Sequence, residues 1–164
     1  MTPTPVQALE AVGRARNAEL AVRISNKARA TLAHERTALA ALAAADAGAS
    51  HRAIGAKLGI SHVAVGALVT KARALLPPVE GRVGRSPLHI AMRYAAGEID
   101  RDTLVEALAT WPCASVGAFT EALPDDGATL PVPGTCDEVY NALVYGYVDQ
   151  DVYDAILRRR AQQQ

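Results

Sequence analysis

The sequence contains few aromatic residues and almost no cysteine. Its 164 residues include one Phe, one Trp, five Tyr and two Cys. The cysteines, Cys113 and Cys136, form neither a CxxC spacing nor part of a larger framework, so we expect reduced thiols rather than a disulfide or a zinc site. Half of the residues are apolar, which is enough for a hydrophobic core without such support.

Long apolar runs are also absent. No stretch approaches the roughly 18 apolar residues of a membrane span. The first residues, MTPTPVQALEAVGR, lack the basic and apolar regions of a signal peptide. We therefore expect a cytoplasmic protein that does not enter a membrane.

The residue patterns that carry catalysis are missing as well. None of the four histidines has a metal-ligand spacing, and no nucleophile motif or phosphate-binding glycine loop occurs. The pairs Asp100 with Asp102 and Asp149 with Asp151 lack the remainder of a calcium loop, and helix capping explains the first member of each. We predict no enzymatic activity, no metal and no cofactor.

Charge is distributed unevenly, although the net charge is zero. Residues 1–85 contain 12 Lys or Arg and 5 Asp or Glu, a balance of +7. Residues 86–164 contain 5 and 12, a balance of −7. The first half therefore has the charge of a nucleic-acid binder, whereas the second would be repelled by phosphate.

Residues 51–73, HRAIGAKLGISHVAVGALVTKAR, have the pattern of two short helices joined by a tight turn. Gly55 lies where a second helix must pass closely, and Gly59 ends the first helix in a left-handed conformation. Ser61 is placed to cap the second helix. The remaining apolar positions are predicted to be buried: Ile54, Leu58, Ile60, Val65 and Leu68.

This pattern resembles the helix-turn-helix of bacterial and phage DNA-binding proteins, over about residues 33–76. The alternative is a helical hairpin of the same pattern that never touches DNA. The alanine-rich composition is also similar to that of small regulators and repressors of actinobacteria and their phages. The resemblance implies a three-helix fold whose first helix runs from about Ala33 to Asp46 and ends at Gly48.

The resemblance also indicates which residues would meet DNA. By motif position, the base-facing residues of the second helix are Ser61, His62, Val63, Gly66, Ala67 and Thr70. The cations predicted to contact phosphate are Arg52, Lys57, Lys71 and Arg73. In the following segment, GRVGRSP, Arg82 and Arg85 loosely resemble Arg-Gly arms that enter a minor groove, the alternative being an ordinary linker.

The remaining segments complete an all-α prediction. Residues 5–46 have helical periodicity, with Gly13 and Asn17 as candidate breaks, and Pro77 and Pro78 end the helical region. We predict four parts: an N-terminal helical extension over 1–32, a helix-turn-helix domain over 33–76, a linker over 77–86 and an acidic domain of two helical hairpins over 87–164.

The hairpins follow from a repeat at a spacing of 49 residues. Asp100 and Asp149 are predicted to cap the second helices of the two copies, and Ser86 the first helix of the first copy. Thr135 with Glu138 has the spacing of a capping box in the second copy. The predicted buried stripes are Ile90, Tyr94, Leu104 and Leu108 in one copy and Val139, Leu143, Tyr153 and Ile156 in the other.

The sequence leaves alternative interpretations for two parts of residues 86–164. Residues 111–134 are rich in proline and glycine, and a β-hairpin from Val116 to Leu130 is one option. Tyr140, Tyr145 and Tyr147 form a cluster beyond the stripes, so they either anchor an interface or complete a small core.

These observations predict a transcriptional regulator that binds double-stranded DNA through its basic half. The acidic half is predicted to recruit a protein partner or to mediate self-association. The alternative is an adaptor or assembly protein, similar to a phage packaging small subunit, in which the helical domains mediate assembly.

Overall fold

In the computed structural model, the protein is all-α over the described residues, 4–112 and 134–163. The predicted hairpin from Val116 to Leu130 lies outside the described residues. Seven helices occur in the described part of the chain: α1 (Pro5–Asp46), α2 (His51–Leu58), α3 (His62–Arg73), α4 (Pro87–Ala95), α5 (Arg101–Ala109), α6 (Asp137–Val144) and α7 (Gln150–Ala161).

These helices fall into two compact units. The short unit comprises Ala30–Pro78, and the large unit comprises Met1–Arg29 with Val79–Gln164. The first part of α1 therefore belongs to the large unit and its second part to the short unit.

α1 is one helix of 42 residues, so Gly13 and Asn17 do not break it. A glycine inside a helix costs about 1 kcal/mol relative to alanine, and the many alanines around it offset that cost. Ion pairs between neighbouring turns add support, with Arg16 lying 3.1 Å and Arg23 lying 3.8 Å from carboxylate oxygens of Glu19. The helix ends where predicted, because Gly48 adopts a positive φ of 94°.

The two predicted hairpins are present in the large unit as α4–α5 and α6–α7. α4 packs against α5 and α6, and α7 packs against α5 and α6. The predicted caps Ser86, Asp100 and Asp149 each accept a backbone N–H bond, at 3.2, 2.7 and 2.8 Å. The Thr103 N–H bound to Asp100 lowers the pKa of that carboxyl group.

The buried stripes agree with the prediction except at the tyrosines and Leu143. Tyr94, Leu143 and Tyr153 are half-buried, and Val152 takes the core position next to Tyr153. The other predicted stripe residues are buried: Ile90, Leu104, Leu108, Val139 and Ile156.

Glu138 does not form the predicted capping box. α6 begins at Asp137, and Cys136 at its N-cap makes no side-chain cap bond. Instead, the buried Glu138 carboxylate accepts the backbone N–H of Leu88 at 3.0 Å, in the first turn of α4. The carboxylate thus provides a hydrogen-bond acceptor for an N–H group at the start of a helix 50 residues away. Local sequence spacing does not reveal this pairing.

The prediction of a reduced thiol at Cys136 is wrong, because this residue is disulfide-bonded. Cys113, the only other cysteine, lies outside the described residues. The chain segments on either side of residues 113–133 meet where Trp111 Nε1 donates to Gly134 O at 2.8 Å. The sequence gives no indication that Trp111 and Gly134 are in contact.

Arg160 lies beside Trp111 and Cys136. Its guanidinium donates to the carbonyl oxygens of Leu108 and Trp111, at 3.3 and 3.0 Å, and to Cys136 Sγ at 3.0 Å. A cation that binds the last carbonyl groups of α5 also interacts favourably with the dipole of that helix.

The three tyrosines of the C-terminal cluster differ in exposure. Tyr147 is 9% exposed and belongs to the core, whereas Tyr140 and Tyr145 remain 57% and 54% exposed. Burial, and then the neighbouring Tyr145, raises the pKa of Tyr147 above its ordinary value of 10.0.

Candidate nucleic-acid interface

α2 and α3 are joined by the predicted tight turn. The two helices meet at a bend of 98°, within the range of about 90–120° for this type of motif. Gly59 adopts the left-handed conformation, with φ of 67°, and the N–H of Ile60 donates to Gly55 O at 3.0 Å. Side chains at Ser50 and Ser61 then cap α2 and α3, accepting N–H bonds at 3.2 and 3.1 Å.

Gly55 allows the turn to fold back onto α2. A Cβ atom added to Gly55 would lie 2.6 Å from the carbonyl oxygen of Ile60 and 3.5 Å from Val65 Cγ2. A backbone oxygen cannot move aside as a flexible side chain can. Glycine is therefore required at this position, as the sequence pattern predicts.

One face of α3 is held by the core of the short unit. Val65, Leu68, Val69 and Ala72 are buried in a cluster. The cluster also contains Ala38, Ala41 and Ile54 from α1 and α2. Because four residues spread over two turns of α3 are buried, the rotation of α3 about its own axis is fixed, and so is the face that it presents outward.

The outward face contains the predicted base-facing residues. Val63 is 68% exposed. The other exposed members are Ser61, His62, Ala67 and Thr70. Gly66 is half-buried, and a Cβ atom there would lie 3.8 Å from the imidazole of His51. The Thr70 hydroxyl donates to Gly66 O at 3.0 Å, and its oxygen lone pairs still allow it to accept a bond.

The predicted burial of Leu58 and Ile60 is wrong. Their side chains are 39% and 40% exposed. Both line a hollow of about 480 Å³ bordered by His34 and Thr37 of α1 and by Lys71 of α3. The part of α1 beside the turn contributes only His34 and Thr37 to this hollow, and these side chains do not cover the two larger ones.

The short unit carries more cations than anions. It contains five Lys or Arg and two Asp or Glu, a balance of +3. Arg52 lies in the first turn of α2, Lys57 lies near the end of α2, and Lys71 lies in the last turn of α3, all exposed. Within the described residues these three cations form no ion pair at 4.0 Å or less.

Arg73 differs from the other predicted phosphate contacts, because it is already paired. Its guanidinium lies 3.2 Å from Asp46 at the end of α1. Both side chains are largely exposed, so this pair contributes little stability. The sequence does not indicate this ion pair, because 27 residues separate Arg73 from Asp46.

Arg82 does not form the predicted minor-groove arm. Its guanidinium donates to Thr110 O at 2.8 Å and stacks over the Trp111 ring, 5.5 Å from the centroid. Arg85 is half-buried, and its backbone N–H donates to His89 Nδ1 at 3.3 Å. Gly84, between them, is buried against Ile90. Residues 79–86 thus belong to the large unit rather than to a separate linker.

Among residues 4–112 and 134–163, no group of three or more His, Cys, Asp or Glu side chains could hold a metal ion. In those ranges no single helix is long and apolar enough to cross a membrane, although α2 and α3 taken together, bent by 98°, reach that length and composition. Comparison of the chain with protein-family models, with curated proteins and with solved structures finds no match.

Proposed function

We propose that the protein is a transcriptional regulator whose short unit binds double-stranded DNA with α3 in the major groove. The observation that supports this proposal is the outward face of α3. Its exposed Val63, Ala67 and Thr70 lie on a helix whose rotation the core fixes. Lys71 and Arg73 stand at one end of that helix.

The dimensions of α3 suit a major groove. The helix has 12 residues and is therefore about 18 Å long, with a diameter of about 10–12 Å including side chains. The groove is about 12 Å wide. Small residues at Gly66 and Ala67 allow the helix to approach base edges closely.

The chemistry of this face favours modest base discrimination. It contains no Arg, Asn or Gln, so bidentate contacts with guanine or adenine are absent. Val63 and Ala67 can contact thymine methyl groups, while Thr70 and the His62 imidazole can form single hydrogen bonds. We expect discrimination of about 1 kcal/mol for each base pair contacted.

Replacing His62 and Thr70 with alanine is expected to relax sequence preference. Both substitutions remove polar groups from the outward face of α3 and leave its buried face unchanged. The measurement is selection of bound fragments from random duplexes, followed by affinities for the selected site and for a scrambled one. We expect the ratio of these affinities to fall about tenfold, which corresponds to about 1.4 kcal/mol.

The control for that selection is Arg101→Ala, an exposed substitution at the start of α5 in the large unit. Its selected sequences should match those of the unsubstituted protein. An unchanged affinity ratio in the His62 and Thr70 variant would exclude this face as the part that reads sequence.

Replacing Asp46 with asparagine is expected to raise DNA affinity severalfold. The substitution removes the carboxylate that holds Arg73 at 3.2 Å and so releases a cation at the end of α3. If Arg73 then contacts a phosphate, the slope of log affinity against log salt should steepen by about 0.9. Both quantities are obtained from titrations of one labelled duplex at several salt concentrations.

Glu10→Gln is the matched control for Asp46→Asn. Glu10 is an exposed carboxylate on α1, paired with Arg14 in the large unit. The Glu10→Gln substitution changes the net charge by the same amount and lies outside the short unit. Equal effects of the two substitutions would mean that net charge, not release of Arg73, determines affinity.

A second candidate function is that of an adaptor or assembly protein. It is favoured by the large apolar side chains left exposed on both units, including Leu58 and Ile60 in one and Tyr140 and Val144 in the other. Sequence preference in duplex binding distinguishes the two functions, because a regulator binds its own site far more tightly than other duplexes.

A further inference from the structure

An apolar groove runs across the short unit between α1 and the two helices of the turn. It consists of two adjoining hollows, of about 480 and 440 Å³, that share Thr37 and Leu58. The larger apolar side chains are those of Ile54, Leu58, Ile60 and Leu68, and alanines supply most of the remainder. We call this surface the apolar groove.

The border of the apolar groove is cationic. Lys71 borders one hollow, and Lys57 borders the other. Neither hollow is lined by an Asp or Glu side chain. An apolar floor with a cationic border favours an occupant that combines exposed apolar side chains with carboxylates.

A surface with those properties occurs on the large unit of the same chain. Tyr140 and Val144 lie one turn apart on α6, are 57% and 60% exposed, and are followed by the exposed Tyr145. Tyr153 of α7 packs edge-on against Tyr140, with ring centroids 6.3 Å apart. We call Tyr140, Val144 and Tyr145 the tyrosine patch.

Carboxylates accompany the tyrosine patch. Asp137 is exposed and lies three residues before Tyr140 on the same helix, and Asp154 directly follows Tyr153 in α7. The first part of α1 also exposes apolar side chains, at Val6, Leu9 and Val12, among other positions. Its Glu10 and Glu19, however, are paired with arginines of α1 itself. The tyrosine patch is therefore the better electrostatic complement of the apolar groove.

We propose that the apolar groove of one copy binds the tyrosine patch of a second copy, so that the protein associates head to tail. The first copy then retains an unoccupied patch, and the second retains an unoccupied groove. Such an interface joins different surfaces of the two partners, so further copies can add until a ring closes or a filament forms. This inference does not depend on DNA binding, although Ala67, Lys57 and Lys71 belong both to the apolar groove and to the proposed DNA interface.

Two double substitutions separate the two surfaces. The groove variant, Leu58→Ser with Ile60→Ser, and the patch variant, Tyr140→Ser with Val144→Ser, each remove exposed apolar area. We expect each variant to self-associate about 100-fold more weakly than the unsubstituted chain, on the basis of the apolar area lost. The control, Leu9→Ser with Val12→Ser, changes exposed residues outside both surfaces and should associate as the unsubstituted chain does.

The decisive test is sedimentation equilibrium of a mixture of the two variants, each as the full chain. The patch variant has an intact groove, and the groove variant has an intact patch, so a mixture should form one-to-one dimers that do not grow further. A variant that failed to fold could not produce this result. Added salt should weaken the dimers, because the charged borders are exposed.

The opposite results overturn the proposal. An unsubstituted chain that remains monomeric up to about 1 mM has no interface of useful affinity. Variants that associate as strongly as the unsubstituted chain would exclude these two surfaces. A mixture that remains monomeric, although the unsubstituted chain associates, would exclude the head-to-tail arrangement.

Discussion

Replacing Gly55 with valine is expected to unfold the short unit and abolish DNA binding. The new Cβ atom would lie 2.6 Å from the carbonyl oxygen of Ile60, so either the turn or α2 must move. Overpacking of this kind costs about 1–3 kcal/mol, and a unit of about 50 residues has little stability to lose. Native-state hydrogen exchange measures the effect, as lost protection of amides in residues 51–73.

The control for Gly55→Val is Gly13→Ala. No atom lies within 4 Å of a Cβ atom at Gly13, and alanine is favoured over glycine in a helix. This substitution should leave protection in residues 51–73 unchanged and stabilise α1 locally. If Gly55→Val retained full protection in α2 and α3, the close approach seen in the turn would not exist in solution.

Replacing Arg52, Lys57, Lys71 and Arg73 together with glutamine is expected to remove most of the salt dependence of DNA binding. Each phosphate contact contributes about 0.9 to the slope of log affinity against log salt. Because Asp46 holds Arg73 in the unsubstituted protein, three contacts are expected there. They correspond to a loss of about 40-fold between 50 and 200 mM salt, which the variant should not show. The measurement is the affinity for one duplex, by fluorescence anisotropy, at several salt concentrations.

The matched control neutralises the same number of cations, four arginines, on the large unit. Arg14, Arg16, Arg23 and Arg158 are exposed there, and their replacement by glutamine changes the net charge equally. This control should retain the slope of the unsubstituted protein. Equal loss of slope in both variants would show that DNA contacts are not concentrated on the short unit.

The parts of the fold that the sequence predicts are those governed by local chemistry. The turn at Gly59 and the caps at Ser61, Asp100 and Asp149 each depend on residues no more than a few positions apart. The same holds for the helix end at Gly48. Local signals of this kind also predicted the all-α class, which the described residues confirm.

The wrong predictions concern interactions between distant residues. Glu138 has the local spacing of a capping box, yet its carboxylate accepts the backbone N–H of Leu88 at the start of α4. Arg82 looks like part of a flexible arm, but Thr110 and Trp111 provide a binding site for its guanidinium. Periodicity also does not show how much of Ile60 the neighbouring helix covers, since that depends on His34 and Thr37 of α1.

The candidate interface was predicted in part. Motif position indicated the exposed face of α3, because the buried Val65 and Leu68 fix its rotation. The pairing of Arg73 with Asp46 was not predicted, since it joins the ends of two helices 27 residues apart. The function assigned to the face remains a proposal that rests on its exposure, its shape and the cations nearby.

Mapping of a bound duplex by backbone amide NMR tests the proposal of DNA binding through α3 most directly. The labelled full chain would be titrated with a duplex selected from random sequence, at two salt concentrations. We predict the largest shift changes at residues 61–70, with smaller changes at Arg52 and at Lys71–Arg73, and almost none in α4–α7. Changes confined to α4–α7, with residues 61–70 unaffected, would contradict the proposal.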